Sequence, residues 1–297
     1  MAAQLASGLP GADGFLSTPN AGRLLAISLT ADARRMLADR YGVPPERESE
    51  AFKSLLGLLG ANEVFLGDCC WDDHAHAEAE ELLLRMRKGL PLPQIIHACP
   101  KWAADAKAER PGLLPYFSAV PFHAQRRGLA ARARVSARHG VPPESVVHIT
   151  VVGCPARKAA LLRNGLKYGS STGPEYVLTA REVALWLARR GLDGAAGKVG
   201  AASAAPAGRG SRLRDVAAHA LLIREGRMPE PGFLRLYPVN GLPGVEEGTV
   251  RLGDVLLRVA VVRGLCNACA LLDGFSAGRA GYHLAEVLAC AGGCAGV

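Results

Sequence analysis

The stretch whose reading decides the fold is YHLAEVLACAGGCAGV, residues 282–297, an apolar run that ends in Cys290, two glycines, and then Cys294. Tyr282 to Leu288 reads as a buried strand, and Gly292-Gly293 lets the backbone turn tightly enough to bring Cys294 beside Cys290. Two thiolates at that spacing are half of a site for a soft metal, because sulfur ligands select zinc and iron-sulfur iron over hard cations. The half-site calls for further ligands elsewhere in the chain.

Working outward, two more strands end in a cysteine. Gln94 to Ala98 delivers Cys99 and Pro100, and the β-branched run Val146 to Val152 leads straight into Gly153-Cys154. Leu24 to Leu29 reads as a buried strand, with Thr30 as N-cap for a helix over Ala31 to Tyr41 that Gly42-Val43-Pro44-Pro45 stops. A helix over Glu48 to Leu59, a short strand at Glu63 to Leu66 and an acidic helix around His76 to Arg87 follow. Further helices are expected over 101–108, 124–138 and 182–190. After Arg212 the pattern predicts a helix to Glu225, strands near Leu234 to Tyr237 and Val255 to Val262, and a helix near Asn267 to Phe275.

Strands alternating with helices predict βαβ units and an α/β fold with largely parallel sheets, in which ligands gather at the carboxyl ends of strands. Cys99, Cys154 and Cys290 each stand at such an end, with Cys294 one turn further on. Four thiolates match the external ligand count of a 4Fe-4S cubane. Residues 1–23 read as a disordered leader, 24–192 as an N-terminal lobe, 193–210 as a flexible Ala/Gly-rich linker or loop, and 211–297 as a C-terminal lobe.

The 297 residues are 49% hydrophobic and 21% charged, as in an ordinary globular protein long enough to bury a full core. No apolar run reaches the roughly 18 residues of a membrane span, and the leader lacks a basic and apolar signal pattern, although an organellar transit role stays open. The net charge of +8 comes from scattered arginines without interleaved aromatics, which predicts a solvated basic surface and no nucleic-acid partner. Without a secretory signal, the eight cysteines point to metal or catalysis before disulfides.

Other readings compete. Cys266 and Cys269, with Cys290 and Cys294, come near zinc-ribbon spacing, although Cys266 and Cys269 also fall at i and i+3 of a helix-like run. Cys69-Cys70 beside Trp71 face either the core or the site. His74 and His76 open a helix as a polar face or a metal pair, and His97 is either a satisfied core histidine or a hydrogen-bond donor that tunes a redox centre.

Taken together, Ala98-Cys99-Pro100-Lys101-Trp102, Val152-Gly153-Cys154-Pro155-Ala156-Arg157-Lys158 and Glu286-Val287-Leu288-Ala289-Cys290-Ala291-Gly292-Gly293-Cys294 resemble a known family. They are similar, in order, to the three cysteine motifs of the iron-only (FeFe) hydrogenase catalytic domain. They are similar also to its non-hydrogenase relatives, the Nar-type cytosolic Fe-S assembly factors and nuclear prelamin A recognition factor-like proteins. Segments Pro111 to Ser118, Tyr176 to Glu182 and Val261 to Asn267 share the likeness, which runs from about Leu24 to the C-terminus. The resemblance implies two α/β lobes with mainly parallel sheets flanked by helices and an Fe-S cluster in the cleft between them. It carries the four ligands of a 4Fe-4S cluster onto Cys99, Cys154, Cys290 and Cys294, with His97, Arg157, Lys158 and Ser118 expected close by.

Departures from the family pattern bear on activity. Hydrogenases of this family usually carry a proton-donating cysteine where this chain has Ala98. Their Met-Pro before the second motif's cysteine is Val152-Gly153, the lysine that holds a diiron cyanide is Arg157, and a proton-path glutamate is Ala160. The glycine-rich tail after the last cysteine is missing here, as is a ferredoxin-type Cys-x-x-Cys-x-x-Cys run. The expectation is therefore a cytoplasmic 4Fe-4S protein of Fe-S cluster assembly that does not turn over hydrogen efficiently, working with Fe-S assembly or electron-transfer proteins. The alternatives are a hydrogenase or hydrogen sensor with a diiron site bridged through Cys294, and a degenerate interaction module.

Overall fold

The computed structural model describes residues 22–66, 71–97, 99–120, 123–163, 167–168, 171–172, 176–192, 212–276 and 281–290. The expected leader up to residue 21, the linker at 193–210, and Cys69, Cys70, Ala98 and Cys294 lie outside the described residues. In chain order, β1 (Leu24–Leu29), α1 (Ala31–Tyr41), α2 (Glu48–Leu58) and β2 (Glu63–Phe65) come first. Next are α3 (Trp71–Lys88), β3 (Gln94–His97), α4 (Pro100–Glu109), α5 (His123–His139), β4 (Val146–Val152) and α6 (Pro155–Arg163). The short strands β5 (Lys167–Tyr168) and β6 (Ser171–Thr172) precede β7 (Tyr176–Thr179) and α7 (Ala180–Arg189). The last stretch holds α8 (Arg212–Glu225), β8 (Tyr237–Pro238), β9 (Val245–Leu252), β10 (Val255–Arg263), α9 (Leu265–Ser276) and β11 (Leu284–Leu288).

The chain divides into two compact units, and the fold class is α/β as expected. The first unit carries an all-parallel sheet in the order β2-β1-β4-β7. Its central strands are apolar nearly throughout because both faces are covered, as parallel sheets require. Leu25, Ile27 and Leu29 of β1 and Val147, Ile149 and Val151 of β4 share a core with Leu37, Phe52, Leu56 and Trp186. The alternate residues face the other way, where Ala26 and Val146 meet Val135 and Val152 and Val177 meet Leu161. Fully burying one such large apolar side chain contributes roughly 1.5–3 kcal/mol. Within the sheet, the buried Ser28 Oγ and His148 Nε2 meet at 2.7 Å. Thr30 caps α1 by accepting the Ala33 N–H at 3.4 Å, and Gly42, at φ 62°, closes it in the left-handed conformation.

The second unit is built from residues 71–120 together with 212–290. Its sheet runs β3-β11-β10-β9-β8, with β3, β11 and β10 parallel and β9 and β8 added antiparallel. One face packs Ile96, Val259, Val261 and Leu284 against Leu82 and Leu213. The other packs Ile95, Ala260, Val262 and Val287 against Trp102, Phe117 and Leu272. Residues 71–120 therefore group with the C-terminal part, which corrects the expectation of one lobe over 24–192. The reason is that β3 finds its neighbour in β11, with Gln94 opposite Leu284. The strand expected near Leu234 to Tyr237 is reduced to Tyr237–Pro238, and β9 was not anticipated at all. Among the described residues, no helix is long and apolar enough to cross a membrane.

Candidate metal centre

Of the four expected ligands, Cys99 and Cys290 belong to the second unit and follow adjacent strands. His97 stands opposite Val287 in the parallel pair β3 and β11. Cys99 and Cys290 therefore leave the same carboxyl edge of adjacent strands, which in any sheet run about 4.8 Å apart. Cys99 begins α4, where Pro100 takes the first helical position at no cost in hydrogen bonding. Its backbone is extended and its side chain makes no cap bond, which leaves the sulfur free of the helix. The thiol packs at the margin of the Ile95, Trp102 and Phe117 cluster.

Cys154 follows β4 in the first unit and starts α6. Its carbonyl accepts the Lys158 N–H at 3.2 Å, and its Sγ accepts the Arg157 N–H at 3.4 Å. Cys99, Cys154 and Cys290 are of intermediate exposure, and none is in a disulfide. Such donors fit an iron-sulfur group, which takes thiolates and is tuned by N–H bonds to sulfur. Among the described residues, no group of three or more His, Cys, Asp or Glu gathers as a metal site. That holds for the zinc reading too: Cys266 is exposed on α9 and Cys269 sits one turn on.

Sequence reasoning missed Asp32. This buried first-turn acid of α1 accepts the Gly153 N–H at 3.2 Å and the Arg157 Nη1 at 2.9 Å, both on Oδ2. The carboxylate thus ties the residue before Cys154 to the residue three after it. It also accounts for Gly153, where the pattern of the resembled family has proline. A Cβ at position 153 would lie 2.3 Å from Asp32 Oδ2 and 2.7 Å from its Cγ, and a proline would lack the N–H that Asp32 receives.

The remaining expected neighbours are committed to local contacts. Lys158 pairs with Glu182, whose Oε2 also accepts the Thr179 N–H at 2.7 Å in a capping box. Burial raises the Glu182 carboxyl, but the bonds from Lys158 and Thr179 outweigh it and hold the group below its usual range. Ser118 donates to Glu81 Oε2 at 2.7 Å, and Glu81 Oε1 accepts from Arg85 Nη2 at 2.7 Å. Arg85 in turn donates to the carbonyls of Pro91 and Phe117, both at 2.9 Å. Glu81, Ser118 and Arg85 therefore fasten the segment after α4 onto α3.

His97 is the neighbour with capacity to spare. Burial, with Arg212 and Lys107 adding positive charge, pushes its imidazole down to about 3 and keeps it neutral. The ring meets Phe117 edge-on at 5.9 Å, and its buried Nδ1 has no hydrogen-bond partner among the described residues. His74, read as part of a polar face, is buried instead, 3.6 Å from Glu78. Arg212 grips Glu78 with two bonds, at 2.8 and 2.6 Å.

The chain is 29% identical over 292 residues to the periplasmic Fe hydrogenase large subunit of Nitratidesulfovibrio vulgaris, covering 92% of this chain and 68% of that one. It is 28% identical over 294 residues to an NADP-reducing hydrogenase subunit of Solidesulfovibrio fructosivorans, covering 93% and 50%. To cytosolic iron-sulfur assembly component 3 of Mus musculus it is 27% identical over 299 residues, covering 94% and 62%. The chain thus spans between half and about two thirds of the length of these relatives. Its fold is similar to that of an apo FeFe-hydrogenase variant from Chlamydomonas reinhardtii, with a TM-score of 0.79 at 21% identity over 97% of this chain and 83% of that one. The family model for the C-terminal domain of the iron only hydrogenase large subunit matches residues 25–296, and the chain belongs to that family.

Proposed function

We propose that the protein holds a 4Fe-4S cluster through Cys99, Cys154, Cys290 and Cys294 and acts in cytosolic iron-sulfur cluster assembly in preference to hydrogen turnover. The observation that carries this reading is the bond from Arg157 to Asp32. The cation that in hydrogenases of this family would hold a diiron ligand is here buried and spent on a carboxylate. Ala160 lies on the same helix where a proton-path glutamate would stand, and a methyl group relays no proton. When bound, the cluster supplies one-electron chemistry. The chain's residues would fix its surroundings, with the Arg157 N–H donating to the Cys154 sulfur and His97 offering a neutral ring beside Cys99. A cytoplasmic location and partners among Fe-S assembly or electron-transfer proteins go with this reading.

Anaerobic purification should yield about four irons and four sulfides per chain, lost in each of Cys99→Ala, Cys154→Ala and Cys290→Ala. An iron-free, folded protein would leave only the interaction module. Hydrogen evolution should stay at background after incubation with a synthetic diiron precursor, because Ala98 and Ala160 remove two proton carriers. Sustained turnover would overturn the assembly reading and establish a hydrogenase or sensor with its diiron site on Cys294.

A further inference from the structure

We propose that Cys266 and Cys269 form a thiol-disulfide exchange site at the start of α9 that takes small disulfides of the glutathione type. Cys266 is the attacking thiol and Cys269 the resolving one. The two stand three residues apart in the first turns of the helix, on one face, where side chains at this spacing lie about 5–6 Å apart at Cβ. A disulfide needs about 3.5–4.5 Å. First-turn N–H groups have no intrahelical acceptors, which lets that turn tighten, and a 3₁₀-like turn eclipses residues i and i+3.

The start of α9 is anchored to the loop and strand that precede it. Asn267, between them, donates from Nδ2 to the carbonyls of Pro243 at 2.7 Å and Arg263 at 2.8 Å. Gly264 donates to Leu288 at 2.9 Å, and buried Ala268 donates to Gly264 at 3.0 Å. The thiols themselves have no partner among the described residues. Cys266 is exposed, while Cys269 is partly covered, so an incoming disulfide meets Cys266 first. Leu265, 58% exposed, gives that approach an apolar neighbour. Because Gly264 bonds to the strand that leads into Cys290, the pair opens on the same edge of the sheet as Cys99 and Cys290.

The exchange balances without a further reagent. The Cys266 thiolate attacks one sulfur of the external disulfide, whose S–S bond breaks, and the released thiolate takes up a proton. Cys269 gives its proton to water and attacks the Cys266 sulfur of the mixed disulfide, expelling the second thiolate. One external disulfide becomes two thiols, and the protein dithiol becomes one internal disulfide.

Trypsin cuts after Arg263 and Arg279, leaving Cys266 and Cys269 in one peptide, residues 264–279, with no other cysteine. The full-length protein, held anaerobically in mixtures of reduced and oxidised glutathione and then alkylated, should yield this peptide lacking two hydrogens. In Cys269→Ser a glutathione adduct should persist on Cys266 at least about ten times longer than in the unaltered protein. In Cys266→Ser the peptide should react markedly more slowly. The proposal fails if the unaltered protein accumulates a stable adduct without internal closure, or if the peptide cross-links to residues 280–297. It fails equally if the thiols retain stoichiometric zinc that Cys266→Ser releases.

Discussion

Replacing Arg212 by methionine should lower the stability of the second unit by about 3–5 kcal/mol, as when one member of a buried ion pair is removed. Arg212 and Glu78 are both buried, and the guanidinium meets the carboxylate with two bonds. Burial pushes the Glu78 carboxyl above its usual value of 4.5, with Glu286 and Glu81 adding to the rise and Arg212 opposing it. A carboxyl that holds its proton more tightly when folded contributes most below its unfolded value and loses that contribution as pH rises through the folded one. Without Arg212 the folded value climbs further, so the variant's deficit should widen from pH 5 towards pH 8. Glu78→Gln in the same background should restore much of the loss, since no charge is left stranded. Denaturant titration with amide exchange of α3 and β11 reads both effects. A deficit under about 1 kcal/mol, or one flat with pH, would show that the pair is not what holds α8 to α3.

Gly153→Ala is the second large effect. The position is not in the left-handed region, so the requirement is for space alone. Asp32 cannot swing aside, because its own Cβ would lie 3.0 Å from the added methyl. Either the turn before Cys154 or the start of α1 must move, and the bonds from Gly153 and Arg157 go with it. Overpacking of this kind costs about 1–3 kcal/mol, and disturbing the buried Arg157–Asp32 pair adds to that cost. A combined loss of about 3 kcal/mol or more is expected, together with reduced iron in the purified protein. In an Asp32→Gly background the same alanine should add less than about 1 kcal/mol, because nothing is left to collide with. If the alanine costs as much there, Asp32 is not what demands glycine.

How much of this was legible in the sequence depended on how local each cause is. β1, α1 and β4 match their expected limits because their signals sit within the elements: a β-branched run buried on both faces, the Thr30 cap, and the Gly42 stop. β9 carries two glutamates and a glycine in its middle, which hides its apolar alternation. Its hairpin was nonetheless signalled by Gly253-Asp254 between Leu252 and Val255, with Gly253 at φ 59°. The thiols that end β3, β4 and β11 were readable one by one, since each terminates an apolar run. Asp32 was not, because an acid in the first turn of a helix is the ordinary choice against the helix dipole. Only the tertiary approach of Gly153 gives it a second role.

The pairing of Gln94 with Leu284 also sets a timetable for the newborn chain. These residues are 190 apart, from 94 to 284, so β3 leaves the ribosome long before its neighbour exists. The first unit has all four of its parallel strands once Thr179 has emerged, and domains tend to fold as units during synthesis. Until β11 arrives, β3 has an unpaired edge and Cys99 stands exposed to oxidation and to stray metal. Closing so long a loop is slow. Under the proposed ligand set, a metal held by Cys99 and Cys290 together would have to be loaded after residue 290 has emerged, and chaperones that shield bare strand edges would set how much of the chain survives until then.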